Sequence, residues 1–247
     1  MAALAFENFT LGYGRHPAVH HLNWRIGSGS LTAIVCPNGS GKSTLFKGIM
    51  GFLNPMEGHV HLDGVAREEI AYLPQLCDVD RSFPATVFEL VSLGLWRRRG
   101  IFAGLTAEDR ARVSDALKAV GLAGFAGQTI DSLSGGQVQR ALFARVLLQD
   151  AKLILLDEPF TAIDMKTTEE LIDVIRRWHG EKRTVVAILH DLDLVRGNFP
   201  EALLLAREPV AWGKTAEVLK PANLLRARRM NEAWDEQAPW CETPQAA

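Results

Sequence analysis

The sequence predicts an α/β fold: a mainly parallel sheet, an antiparallel β portion at the N-terminus, and a helical subdomain inserted in the middle. Three observations predict it. Nearly all-apolar runs at 31–35, 153–156 and 184–189 read as strands covered on both faces, the pattern of parallel sheets. Helical patterns follow the first two runs, and strands alternating with helices favour parallel order. Between residues 86 and 121 the periodicity turns helical, which marks an insertion within the α/β frame.

Taken in order, alternation at 4–9 and 22–26 predicts two half-buried strands, closed by glycine-rich turns at Gly12 and Gly14 and at Gly27 and Gly29. The strand at 31–35 runs into a Gly/Ser-rich turn, and 42–50 follows as a helix. In the insertion, Thr106 to Asp109 forms a capping box, Val113, Ala116, Leu117 and Val120 keep one apolar face, and Gly121 stands where a C-cap belongs. The frame resumes with the strand at 153–156, a helix from Thr167 to His179 opened by a Thr167–Glu170 box, and the strand at 184–189. Arg226, Arg228 and Arg229, followed by Glu232, Asp235 and Glu236, read as a charged closing helix. The expected organisation is one domain over 1–235. Residues 1–78 and 153–235 form the core with its N-terminal β portion, 79–152 form the helical subdomain, and 236–247 are a flexible tail.

Composition narrows the function. At 247 residues, 47% hydrophobic and 23% charged, the chain is long enough for a substantial core. A formal charge of −2 argues against a dedicated nucleic-acid binder. The apolar runs fall far short of the ~18–20 residues of a membrane-spanning helix. The first residues lack the basic start and long apolar stretch of a secretory signal. Cys36, Cys77 and Cys241 are too widely spaced for a CxxC metal knuckle and odd in number, which suits a reducing cytosol. His59 and His61 would share one face of a strand, and His20 and His21 are adjacent. With no third ligand at a plausible spacing, the expectation for these is exposed edge histidines. Arg97, Arg98 and Arg99 after Trp96 read as a solvated loop, with lipid headgroups or a membrane partner as the alternative.

Chemistry concentrates in three motifs. CPNGSGKST, from Cys36 to Thr44, is a phosphate-binding loop of the GxxxxGK[ST] type between a strand and a helix. Asn38, Gly39, Ser40 and Gly41 supply backbone N–H groups at a helix N-terminus. Lys42 adds a point charge at the β- and γ-phosphates, Ser43 offers a hydroxyl to Mg²⁺, and Thr44 completes the turn. Cys36 stands where the first glycine belongs, either as a small residue that simply fits or as a redox- or metal-sensitive thiol. LILLDEP ends an apolar strand in Asp157 and Glu158, about 115 residues after Lys42. In that company Asp157 reads as a magnesium ligand and Glu158 as the base that orients and deprotonates a water. LSGGQ, from Leu133 to Gln137, precedes LILLDEP by about 20 residues. Ser134, Gly135, Gly136 and Gln137 sit at a helix N-terminus that would take an anion.

From about residue 3 to 225 the chain resembles the ATP-binding-cassette ATPases, whose signature is LSGGQ followed by Val138, Gln139 and Arg140. The resemblance implies a P-loop NTPase cassette that binds ATP with Mg²⁺ and hydrolyses it. It implies a second cassette packed head to tail, so that the signature of one serves the nucleotide of the other. By the same resemblance Tyr13 stacks on adenine, Gln75 of AYLPQ touches Mg²⁺ or the attacking water, and His190 hydrogen-bonds the γ-phosphate. Asp164, in Thr161-Ala-Ile-Asp where the family usually has SALD, makes a contact across the dimer.

The segment from Asp80 to Gly94, with FPATVFELVSLG, is similar to the bacterial zinc and manganese importer ATPases. That likeness implies a cytoplasmic subunit on the inner face of the cell membrane, driving a separate polytopic permease fed by a periplasmic or surface solute-binding protein. Zinc is the first expectation for the cargo and manganese the next. Iron-chelate or other cofactor import, and a non-transport cassette of an assembly or repair complex, are the alternatives.

Overall fold

The computed structural model describes residues 2–14, 16–36, 41–100 and 104–232. The elements run β1 (Ala2–Tyr13), β2 (His16–Gly27), β3 (Leu31–Val35), α1 (Lys42–Ile49), β4 (Glu57–Leu62), β5 (Ile70–Leu73), α2 (Val87–Ser92), α3 (Trp96–Arg99) and α4 (Ala107–Ala119). They continue with α5 (Gly135–Gln149), β6 (Leu153–Asp157), α6 (Met165–Gly180), β7 (Thr184–Leu189), α7 (Leu192–Asn198), β8 (Glu201–Ala206), β9 (Glu208–Lys214), α8 (Thr215–Val218) and α9 (Pro221–Glu232). Two compact units result, one of Met1–Ile26, Thr32–Asp63 and Leu189–Ala247, the other of Gly27–Leu31 and Gly64–Ile188.

The first unit holds a three-stranded sheet in the order β2-β1-β4. β1 and β2 are each 12 residues long, more than the alternating stretches alone suggest. The reason in β1 is a bulge between Glu7 and Thr10, with Asn8 at φ +46°, after which Phe9, Thr10 and Leu11 are buried in succession. Phe6 stacks on Trp24 with ring centroids 5.9 Å apart and meets Phe9 at 5.5 Å, the aromatic part of this core. β3 pairs in parallel with β8 from Thr32↔Glu201 to Val35↔Leu204, and β9 returns antiparallel along β8. All five residues of β3 are buried, as a strand covered on both faces requires. The pairing adds β8 and β9 to the strands read from sequence.

In the second unit β5, β6 and β7 lie parallel, with Ile70↔Leu153 opening one ladder and Leu153↔Thr184 the other. β6 and β7 are buried throughout. Phe143 on α5 stacks on Trp178 of α6 at 6.3 Å, tying the signature helix to the helix after β6. α4 begins at the box read from sequence: the Asp109 N–H donates to Thr106 Oγ1 at 3.2 Å, and the Thr106 N–H donates back to Asp109 Oδ2 at 2.9 Å. α6 starts earlier than the sequence reading has it. Asp164, not Thr167, is the cap, its carboxylate accepting from the Thr167 N–H at 2.9 Å and the Thr167 hydroxyl at 2.8 Å. The closing helix is α9, and Asp235, Glu236 and the tail lie outside the described residues. Among the described residues no helix is long and apolar enough to cross a membrane.

Candidate functional site

Lys42 opens α1. Gly41, just before it, has φ +85°, in the left-handed region that favours glycine, and a Cβ there would lie 2.4 Å from the Ala18 carbonyl oxygen of β2. The last glycine of the phosphate loop is therefore demanded twice, by backbone conformation and by space. No acidic residue stands in the first turn of α1, so that turn keeps the positive end of its dipole for an outside anion. Lys42 is 9% exposed, and its Nζ lies 3.0 Å from Nε2 and 3.4 Å from Nδ1 of His190. Ser43 is half-buried, Thr44 is buried, and Tyr13 at the end of β1 is 54% exposed. Asn38, Gly39 and Ser40 lie outside the described residues. Cys36 is buried at the end of β3, which suits a small packing residue better than a thiol open to oxidants.

β6 carries Asp157 at its end. The carboxylate is fully buried, and the Tyr72 hydroxyl of β5 donates to its Oδ2 at 3.4 Å. Burial, and then the charge of Asp157, push the Tyr72 phenol above its ordinary range, so it stays protonated as a donor. Glu158 leaves the strand with φ +49°, its N–H donating to the Ile188 carbonyl of β7 at 3.2 Å. A left-handed glutamate costs about 1–2 kcal/mol and persists only where neighbours hold it. One such neighbour is Gln139 on α5, fully buried, whose Nε2 donates to the Pro159 carbonyl at 3.0 Å. The sequence reading missed both Tyr72 and Gln139 as supports. Gln139 had a visible signal, a polar residue among the apolar positions of the signature helix; Tyr72 had none.

Ser134 caps α5 in a reciprocal box: its Oγ accepts from the Gln137 N–H at 3.3 Å, and Gln137 Oε1 accepts from the Ser134 N–H at 2.8 Å. Both side chains thus shape the helix end, and Gly135 and Gly136 place bare amides in its first turn. Gln75 precedes a 3₁₀ turn at Leu76–Asp78, where its Oε1 accepts a weak bond from Cys77 Sγ at 3.5 Å. The Thr167 N–H, and then its hydroxyl, hold the Asp164 carboxyl below the usual carboxylate range, so this capping group is ionised. The first unit thus brings Lys42 and His190 together. The second places the Tyr72–Asp157 pair on adjacent strands, with Glu158 anchored to β7.

Residues 19–161 match the family model described as ABC transporter. This chain belongs to the ABC transporter family. One relative, the manganese transport system ATP-binding protein MntA of Synechocystis, is 40% identical over 84% of this chain and 82% of its own. The zinc transport system ATP-binding protein TroB of Treponema pallidum is 36% identical over 91% of this chain and 86% of its own. Among solved structures, a metal-chelate type ABC transporter in an inward-facing conformation is similar at a TM-score of 0.81 and 28% identity, covering 93% of this chain and 90% of that one. As an ABC transporter ATPase, the chain binds and hydrolyses ATP. This ABC transporter chain also has, in its second unit, a groove of about 310 Å³ lined by Glu68, Glu69, Leu93, Trp96, Arg97 and Gln149 among others. Leu93 and Trp96 are 45% and 51% exposed there.

Proposed function

We propose that this chain is the ATP-hydrolysing subunit of an importer for zinc or manganese, acting as a head-to-tail pair on a separate membrane permease at the inner face of the membrane. The observation that carries the metal class is the identity of 36–40% with ATP-binding proteins of manganese and zinc transport systems, sustained over most of the chain. In this reading a solute-binding protein outside the membrane delivers the ion to the permease.

In this reading each site residue takes a role. Tyr13 offers an exposed ring for adenine, and the loop Asn38 to Thr44 with the first turn of α1 holds the phosphates. Lys42 and His190 place two nitrogen groups 3.0 Å apart to bind terminal phosphate oxygens. Glu158 orients the attacking water and takes its proton, giving ADP and inorganic phosphate by in-line displacement. Ser43, Gln75 and Asp157 present hydroxyl, amide and carboxylate oxygens, the hard donor set that Mg²⁺ takes. The ion, when bound, neutralises charge on the β- and γ-phosphates. Gly135 and Gly136, on the helix end shaped by Ser134 and Gln137, serve the nucleotide of the partner copy. Asp164 contributes to that contact while capping α6.

The permease docks at the groove beside Trp96, because Leu93 and Trp96 expose apolar surface where Glu69 and Arg97 pair at its edge. The test is uptake of radiolabelled zinc and manganese by cells in which this chain is the sole copy. Glu158→Gln should abolish uptake of one of the two ions, and Trp96→Glu should abolish it while the purified chain keeps its ATPase activity. Unchanged uptake of both ions without the chain would overturn the reading.

A further inference from the structure

We infer that Glu7, His59 and His61 form a binding site for a zinc-class divalent cation on the exposed face of β1 and β4. In β4 the two histidines are two residues apart, so their side chains share a face, and their rings meet edge to face with centroids 4.4 Å apart. The register of the sheet supplies the third group. Glu7 of β1 lies directly opposite His59, and Ala5 opposite His61, which puts Glu7 one diagonal step from His61. Its Oε2 lies 3.2 Å from Nε2 of His59 and 3.8 Å from Nε2 of His61, and one ligand atom from each residue falls within 4.8 Å of the others.

These separations suit a metal. Tetrahedral zinc with bonds of ~2.0–2.1 Å keeps its ligand atoms ~3.3–3.4 Å apart, so the two measured edges bracket that value. Two imidazoles and a carboxylate are a common zinc donor set, with water in the fourth place. By ligand type and the order of divalent affinities, the same set binds manganese more weakly.

The backbone around Glu7 is also built rather than incidental. The β1 bulge begins at Glu7, and Asn8 takes φ +46°. Asn8 is held there by Asn23 Oδ1, which accepts from its N–H at 2.9 Å, and by a 2.7 Å contact between its Oδ1 and His21 Nδ1. Opposite, Gly58 has φ +68°, and a Cβ on it would lie 2.2 Å from the Glu7 carbonyl oxygen. Bulges re-aim side chains, and this one sits at the residue that completes the cluster. The site uses none of the nucleotide-binding residues and stands whether or not the importer reading holds.

The experiment titrates Zn²⁺ into the untagged full chain, without nucleotide, against a chromophoric chelator. The wild-type chain should bind one equivalent more than the His59→Gln/His61→Gln variant, and Glu7→Gln should weaken that equivalent at least ~10-fold. Equal stoichiometry and affinity in wild type and double variant would overturn the proposal. Should the variants fold poorly, histidine NMR of the wild-type chain decides. Two of the seven histidines, assigned as His59 and His61, should shift together at saturation; if neither moves, the site does not bind zinc.

Discussion

The ammonium of Lys42 lies 3.0 Å from Nε2 of His190, although the two are 148 residues apart in sequence. The cation of the phosphate loop and the histidine after β7 thus converge on one place, where a terminal phosphate would gather both. Removing one preorganised donor from such a place costs about 10²–10³ in turnover. His190→Ala should lower kcat by that factor and weaken ATP binding far less, whereas Lys42→Ala should lose both. Phosphate release and fluorescent-nucleotide binding measure the two effects separately.

Gly41 makes a sharper structural prediction. With φ +85° and only 2.4 Å of space before the Ala18 carbonyl oxygen, Gly41→Ala needs the loop or β2 to move. ATP affinity should fall at least ~10-fold, with a loss of about 1–2 kcal/mol in stability from the left-handed conformation alone. Nucleotide titration and urea denaturation without nucleotide check the two parts.

Gln139 links the signature helix to the chain just past Glu158 through a single buried bond to the Pro159 carbonyl. Gln139→Leu keeps the volume and leaves that carbonyl without its donor, which costs about 1–3 kcal/mol. Turnover should fall with it, because the left-handed turn at Glu158 loses a neighbour. Urea midpoints and kcat should shift together; a stability loss with kcat unchanged would show that Gln139 serves folding alone.

Asp109 gives a pH signature. The Thr106 N–H first, then the Thr106 hydroxyl and Arg99, hold its carboxyl at about 2, below the ordinary aspartate value. A group depressed on folding stabilises above its unfolded pKa of ~3.9 and loses that contribution as pH falls through the folded value. The stability gap between wild type and Asp109→Asn should be full at pH 6 and shrink between about pH 4 and pH 2. Thr106→Ala, which removes the cap itself, should cost about 1 kcal/mol at neutral pH. Urea denaturation across that range reads both.

What was legible in the sequence was whatever local pattern controls. The strands β3, β6 and β7 announce themselves because burial on both faces leaves no polar position, and the box at Thr106 because capping needs only four residues. The start of α6 was misplaced because Asp164 and Thr167 are both good caps, and only the bonds decide between them. The motif residues were legible by spacing. Tyr72 was not, and Gln139 showed only as a polar residue in an apolar helix pattern, with no sign of its partner, since the two partners lie 85 and 20 residues away. The Glu7–His59–His61 cluster shows the same limit. Two ligands were visible at a strand period, and the third came only with the register of β1 on β4.

The central claim is that Glu158 drives hydrolysis of ATP between paired copies of this chain. Glu158→Gln keeps the shape and removes the base, so the variant should bind ATP, accumulate as an ATP-bound dimer on size exclusion, and release phosphate at least ~10²-fold more slowly. Near-normal phosphate release by Glu158→Gln would contradict the account.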